Sequence, residues 1–253
     1  MRRTLANGCL VLLMIPAALV AYFWFTVWHT GHENDRRRQD ALDSLLRQAH
    51  EAADRTADAL TRSGETGTDA LTGVIWEHTE SPVIAYDEER RVFTAVAARS
   101  AVYEEKPILF AGGPGTVERC FTYTYARRPG SEWTSTTTES DNEACRGSGE
   151  IGDRVRFARV RMGGMEAAGL TRAGLRRALD PSGRPGDESR SDVRSVVRKG
   201  RTVVAVVLFR HLDRYRSQDD GSAPVEQCYR LTRILDPDAG VEGPVTAVPV
   251  ADC

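Results

Sequence analysis

Two stretches of this chain carry one pattern. Val117–Tyr125 reads VERCFTYTY and Val225–Arg233 reads VEQCYRLTR: Val-Glu, a residue bearing a guanidinium or amide, then Cys and an aromatic. Each of these cysteines has another 25 residues further on, Cys145 after Cys120 and Cys253 after Cys228. Apart from Cys9, which precedes an apolar run, these are the only cysteines. Four cysteines downstream of an export-type segment read as a disulfide framework with three possible connectivities. The equal spacing selects Cys120–Cys145 and Cys228–Cys253. Between the members of each pair lies a hairpin pattern: FTYTYAR, a turn at RPGS and EWTSTTTES in the first; YRLTRIL, a turn in DPDAGVEG and PVTAVPV in the second. A bridge across the outer ends of such a ribbon fits disulfide geometry, and closing a loop of this length contributes about 3 to 3.5 kcal/mol. The competing reading, a zinc site of four thiolates, lacks any Cys-x-x-Cys spacing.

Disulfides need an oxidising compartment, and the N-terminus offers a route to one. Met1-Arg-Arg is followed by a run from Cys9 to Trp28 without a single charge. Twenty helical residues at about 1.5 Å each match a hydrocarbon core of about 30 Å. A cleaved signal peptide, with a cut after Ala21, is the alternative. The apolar run continues past that point through YFWFTVW, and Tyr22, Trp24 and Trp28 suit an aromatic belt. The expectation is therefore a cytoplasmic tail over residues 1–8, an uncleaved transmembrane anchor over 9–28, and an extracytoplasmic remainder. Arg36, Arg37 and Arg38 beyond the run weaken the charge signal for orientation, so the cysteines decide it.

After the anchor, Leu42, Leu45, Leu46, Ala49, Ala53, Thr56 and Leu60 form one stripe of a juxtamembrane amphipathic helix over 29–64, with Gly64 as its stop. The stripe is thin and rich in Ala. It suits a helix lying on a sheet of its own domain or, as the alternative, a homodimer through the Leu42–Leu60 helix. Beyond it the chain reads as two related lobes, 65–150 and 151–253. The first has a short helix (ALTGVIWEH), strands (PVIAY, RRVFTAVAARSAVY) joined by an acidic turn, a glycine-rich turn (AGGPG, Ala111–Gly115) and the first cysteine ribbon. In the second, RVRFARVRM reads as a strand with a basic face, GMEAAGLTRAGLRRAL as a helix, DPSGRPGDES as a loop, SDVRSVVRKG as a short helix, and RTVVAVVLFRHL as a buried strand before the second ribbon. The predicted class is α+β: an antiparallel-sheet ectodomain of two disulfide-stapled lobes behind a transmembrane helix and a juxtamembrane helix.

Catalytic patterns are sparse. His29 and His32 sit beside the membrane run in HTGHE, an order that does not match the His-Glu-x-x-His of metalloproteases. His50, His78 and His211 are isolated in sequence, no Gly-x-Ser-x-Gly occurs, and the glycines of AGGPG lack the Lys-Ser/Thr of a phosphate loop. The acidic groups YDEE, YEE and QDDG lack the spacing of a calcium loop. Trp76 and Trp133 read as packing residues. Neither a metal nor a cofactor is implied. A net charge of -2 leaves no basic field for nucleic acid. Arg154, Arg156, Arg159 and Arg161 form the candidate anion-binding face.

These readings converge on a membrane-anchored, extracytoplasmic, non-catalytic binding module of a bacterial cell envelope. Its expected partners are the lipid bilayer and either a protein or an anionic envelope polymer. The alternatives are a structural accessory subunit of a membrane complex and an envelope hydrolase, which would need His78 or His211 to meet a carboxylate and a hydroxyl in a cleft.

Overall fold

A computed structural model of the chain describes residues 2–108, 111–127, 132–180, 191–211, 225–235 and 243–253, with side chains from Met14 onward and excepting those of residues 108 and 111. The turns expected at RPGS and in DPDAGVEG, the DPSGRPGDES loop and the QDDG group lie wholly or almost wholly outside the described residues.

One sequence of elements occurs twice. Helices α1 (Arg2–Ser63) and α2 (Thr68–Thr79) precede strands β1 (Val83–Asp87), β2 (Val92–Ile108), β3 (Ala111–Arg127) and β4 (Trp133–Ser140). Helices α3 (Asn142–Gly163) and α4 (Arg172–Leu179) then precede β5 (Ser191–Lys199), β6 (Thr202–His211), β7 (Val225–Ile234) and β8 (Val245–Val250). The strands form two four-stranded antiparallel sheets, in the orders β1-β2-β3-β4 and β5-β6-β7-β8. The class is α+β, and both expected disulfides, Cys120–Cys145 and Cys228–Cys253, are present.

By compactness the chain divides into two units. The larger comprises Gln48–Arg99 and Arg119–Cys253; the smaller comprises Met1–Arg47 and Ser100–Glu118. In the larger unit the stripe of α1 is core: Ala49, Ala53, Thr56 and Leu60 are fully buried. Thr61 Oγ1 accepts from the Trp133 backbone N–H at 3.0 Å, and Asp54 accepts from Ser135 Oγ at 2.9 Å, fixing the helix beside β4. The helix stops at Ser63, and Gly64 follows with φ 64°, the left-handed conformation that ends helices cheaply only with glycine. α3 repeats the arrangement on the second sheet. Ile151, Val155, Ala158 and Met162 are buried at the same i, i+4, i+7, i+11 spacing. They pack with Val193, Val203, Ala205, Val207, Phe209, Tyr229 and Leu231 into one core.

The short helices correspond as well. α2 is preceded by Gly67 and buries Leu71 and Ile75; α4 is capped by Thr171, whose hydroxyl accepts from Gly174 N, and buries Leu175 and Leu179. The two Cys motifs also match in burial. Phe121, Tyr123 and Tyr125 face inward on β3, as Tyr229, Leu231 and Arg233 do on β7.

Several expectations are corrected. RVRFARVRM is not a strand but the second half of α3: Asp141 caps that helix by accepting from Ala144 N at 3.0 Å, and the inward stripe is 151-155-158-162. Phe157 and Val160, which made the sequence look alternating, point outward with 42% and 71% exposure. SDVRSVVRKG is strand β5, not a helix. A bulge between Val193 and Ser195 shifts the register, so that Val193 and Val196, three residues apart, both meet the core and mimic helical spacing. GMEAAGLTRAGLRRAL is helical only from Arg172. AGGPG lies within β3. The boundary placed between 150 and 151 falls inside α3. Cys145 is on the first turns of α3, so the first bridge joins β3 to a helix, where a ribbon closure was expected. Cys120 itself opposes Ser140.

Candidate functional site

The histidines come first, because hydrolytic chemistry would centre on them. His78 is exposed on α2. His211, at the end of β6, places Nδ1 3.0 Å from Glu150 Oε2, and Arg154 Nη2 lies 3.7 Å from the same oxygen. The neighbouring hydroxyl on α3, Ser148, is turned away and donates to Val96 O at 2.7 Å. This group pins β6 to α3. His29 stacks on the Phe25 ring one turn earlier in α1, and His32 lies tilted against Trp28. Among the described residues no three His, Cys, Asp or Glu side chains converge as a metal site would need.

The four arginines of the candidate face are not on one face. On a helix of about 3.6 residues per turn, Arg154 and Arg161 project one way and Arg156 and Arg159 the other. Arg161 stacks over the Phe157 ring at 4.9 Å, Arg156 pairs with Asp153 at 3.1 Å, and Arg159 Nε donates to Val245 O at 2.9 Å. Arg156 and Arg159 do share the wall of an open cavity of about 540 Å³ with Val160 and Pro244. That cavity also borders the C-terminal end of α3, where backbone carbonyls and the helix dipole disfavour an anion. Those carbonyls draw a cation instead: Arg233, 4% exposed, donates from Nη1 to Met162 O and Met165 O at 2.6 Å each.

A second cavity of about 500 Å³ lies where β1 meets β7 and the C-terminus, walled by Ile84, Tyr86, Arg194, Glu226, Gln227 and Cys253. Gln227 builds its floor. Its Oε1 accepts from Ile84 N at 2.8 Å, and its Nε2 donates to Val250 O at 2.9 Å, tying β1 of the first sheet to β8 of the second. Nearby, Tyr229 donates its hydroxyl to Pro82 O at 2.7 Å, and burial pushes that phenol well above the usual tyrosine range. Asp69 accepts from Ala251 N and pairs with Arg230. Of the polar groups in this wall, Gln227 is bonded to Ile84 N and Val250 O, Arg194 is paired with Asp192, and Glu226 is paired with Arg210.

The smaller unit contains a different surface. Along α1, Met14, Ile15, Leu19, Val20, Tyr22, Phe23, Trp24, Phe25 and Trp28 are all exposed, with Trp24 at 72%. Further along, Asn34 grips the β2 backbone in both directions: its Oδ1 accepts from Lys106 N at 2.8 Å, and its Nδ2 donates to Lys106 O at 3.1 Å. Arg37 donates to Glu104 O at 2.9 Å, and Lys106 Nζ donates to Glu33. That hydrogen bond holds the Glu33 carboxyl below its ordinary range. Pro107, next on β2, lines an apolar groove of about 490 Å³ with Leu19, Tyr22, Phe23, Thr26 and Val27. Nothing in the sequence motifs pointed to this groove; its one signal is the pairing of an uncharged run with the KPILF segment. Among the described residues no helix is long and apolar enough to cross a membrane. Residues 9–13 of the expected span have no described side chains.

No protein-family model matches the chain, and no curated protein matches it. A solved structure described as an "Ntf2 like protein involved in plasmid conjugation" is 10% identical over 66% of this chain and 74% of its own, with a TM-score of 0.16. At that score the likeness carries no argument about fold or function.

Proposed function

We propose that this protein is a single-pass, membrane-anchored binding module whose disulfide-bonded body lies outside the cytoplasm of a bacterial cell. The observation that carries the reading is the exposed apolar and aromatic surface of α1 from Met14 to Trp28, on the helix that continues without interruption to Ser63 and supplies core to the first sheet. A soluble protein rarely leaves so many contiguous large apolar side chains uncovered. Taken with the uncharged run from Cys9, they are the outer part of a span, and Tyr22, Trp24 and Trp28 its interfacial belt. Two disulfides support the oxidising side.

The lobes are two copies of one unit of two helices and four strands, and binding to a protein partner is the role they serve. The surface best suited to a protein is the outward side of α3, where Phe157 and Val160 are exposed and Arg161 lies on the Phe157 ring. Aromatic, aliphatic and arginine side chains of this kind dominate the centres of protein interfaces.

Fractionation of cells carrying the full chain, with mass mapping of its thiols, tests the compartment. The protein is expected in the membrane fraction, resistant to carbonate extraction, with both bridges closed and only Cys9 free. Recovery in the soluble fraction with Cys120, Cys145, Cys228 and Cys253 as free thiols would overturn the reading. A photocrosslinker at Val160 is expected to capture a protein, and Phe157→Asp to abolish that adduct.

A further inference from the structure

We infer that the end of β2 at Pro107 is a second membrane contact: Pro107 enters the interfacial layer of the bilayer spanned by α1. The inference rests on the anchored reading and adds to it a lipid-facing site in the folded body. Pro107 shares a groove with Leu19, Tyr22, Phe23, Thr26, Val27 and Thr30. Leu19 and Phe23 belong to the uncharged run that ends at Trp28, and Leu19 lies about 13 Å along the helix axis from Trp28. A span that ends near Trp28 therefore brings Pro107, which shares the groove with Thr26, Val27 and Thr30, to the level of the aromatic belt.

The hairpin is held at that level. Both polar atoms of the Asn34 amide are used on the Lys106 backbone, Arg37 holds Glu104 O, and Glu33 holds the Lys106 ammonium. These contacts lie on α1 just beyond Trp28, at the depth of headgroups. Behind them on the ribbon, the Tyr103 ring lies across Gly115 so closely that a Cβ there would stand 2.6 Å from it, which stiffens the paired strands.

The chemistry grades along the same direction. Glu104, Glu105 and Lys106 are charged, and Pro107, the next residue on β2, is apolar. Arg36 and Arg38 on α1, both exposed, supply cationic groups where anionic phospholipid headgroups sit. The occupant of the groove is thus acyl chain and headgroup, and a paired hairpin meets the demand that backbone groups near lipid be hydrogen-bonded.

The test uses the full chain with Cys9→Ser, reconstituted into vesicles of phosphatidylcholine and phosphatidylglycerol. A polarity-sensitive fluorophore is placed in turn at Phe23→Cys and Pro107→Cys, and the vesicles contain lipids with a quencher high on the acyl chain. Both labels are expected to shift to the blue and to be quenched. Quenching at Phe23 but not at Pro107 overturns the hairpin contact and leaves the anchor standing. Quenching at neither, with the protein outside the vesicles, removes the anchor and the hairpin contact together, and quenching at Pro107 alone refutes the shared level. A photocrosslinking residue at position 107 gives a readout independent of the label. Lipid adducts support the contact, and adducts confined to Leu19 or Tyr22 of the same chain refute it.

Discussion

The two sheets carry the same order of elements yet weight the volume of their cores differently. On the first, α1 contributes Ala49, Ala53, Thr56 and Leu60, and the strands contribute Phe93, Phe121, Tyr123 and Tyr125. On the second, α3 contributes Ile151, Val155, Ala158 and Met162; Val203 and Leu231 stand where the first sheet has Phe93 and Tyr123, while Tyr229 matches Phe121 in bulk. Interiors are packed to near-crystalline density, so a small helix face demands large strand residues and the reverse. One architecture tolerates both solutions because only the sum across the layer is constrained.

This contrast is broken most forcefully by moving volume to the wrong side. Ile151→Ala, which removes bulk from the helix that faces Val203, Val207 and Leu231, is expected to cost about 2–5 kcal/mol. Its counterpart Ala49→Leu, which adds bulk to a helix facing large strand residues, is expected to cost about 1–3 kcal/mol through strain. Urea unfolding of the full chain in detergent measures both. A neutral Ala49→Leu would mean that the first core is underfilled and would refute the idea that its large strand residues leave no room for a larger helix face.

The variable residue of the Val-Glu-x-Cys motif sharpens the comparison on a smaller scale. It is Gln227 in one copy, 5% exposed and bonded to Ile84 N and Val250 O. It is Arg119 in the other, partly exposed and paired with Glu139 at 2.8 Å. Removing Gln227 strands two buried backbone groups, so Gln227→Ala is expected to cost about 1–3 kcal/mol. Arg119→Ala removes only an exposed ion pair and is expected to cost no more than about 1 kcal/mol. The same unfolding curves decide it, and equal losses would refute the idea that the second copy alone uses this position to join the sheets.

How far these features were legible depends on whether a local signal survived its surroundings. The cysteine pairs and the 49-53-56-60 stripe were readable because equal spacing and a helical period are properties of the sequence itself. The matching stripe 151-155-158-162 was hidden because Phe157 and Val160 stand on the solvent side and simulate alternation. β5 was hidden by its bulge, and the break at 150/151 by Cys145, which closes the first loop from within the helix that opens the second copy. The four arginines looked contiguous only on a strand. The groove on α1 was not legible at all, since it requires Pro107 to return to a helix some seventy residues earlier, and the Asn34–Lys106 backbone grip leaves no pattern in sequence.

That grip offers the gentlest test, by pH, and the two regions answer with opposite signs. In the body, Tyr125 and Tyr229 are pushed above the ordinary phenol value by burial, so the folded state holds them neutral; this stability is present at neutral pH and is lost as pH rises through the alkaline range. At the hairpin, the hydrogen bond from Lys106 lowers Glu33 below its ordinary value. A lowered acid stabilises the docked hairpin above its unfolded pKa, and the effect disappears as pH falls through the folded one. The Lys106 amide, which donates to Asn34, is therefore expected to lose protection from hydrogen exchange at acid pH, after correction for intrinsic rates, while amides of β6 keep theirs. Glu33→Gln is expected to remove the pH dependence and leave a weaker, constant protection. Acid loss that persists in Glu33→Gln would transfer the effect to another carboxylate and separate the hairpin's docking from this pair.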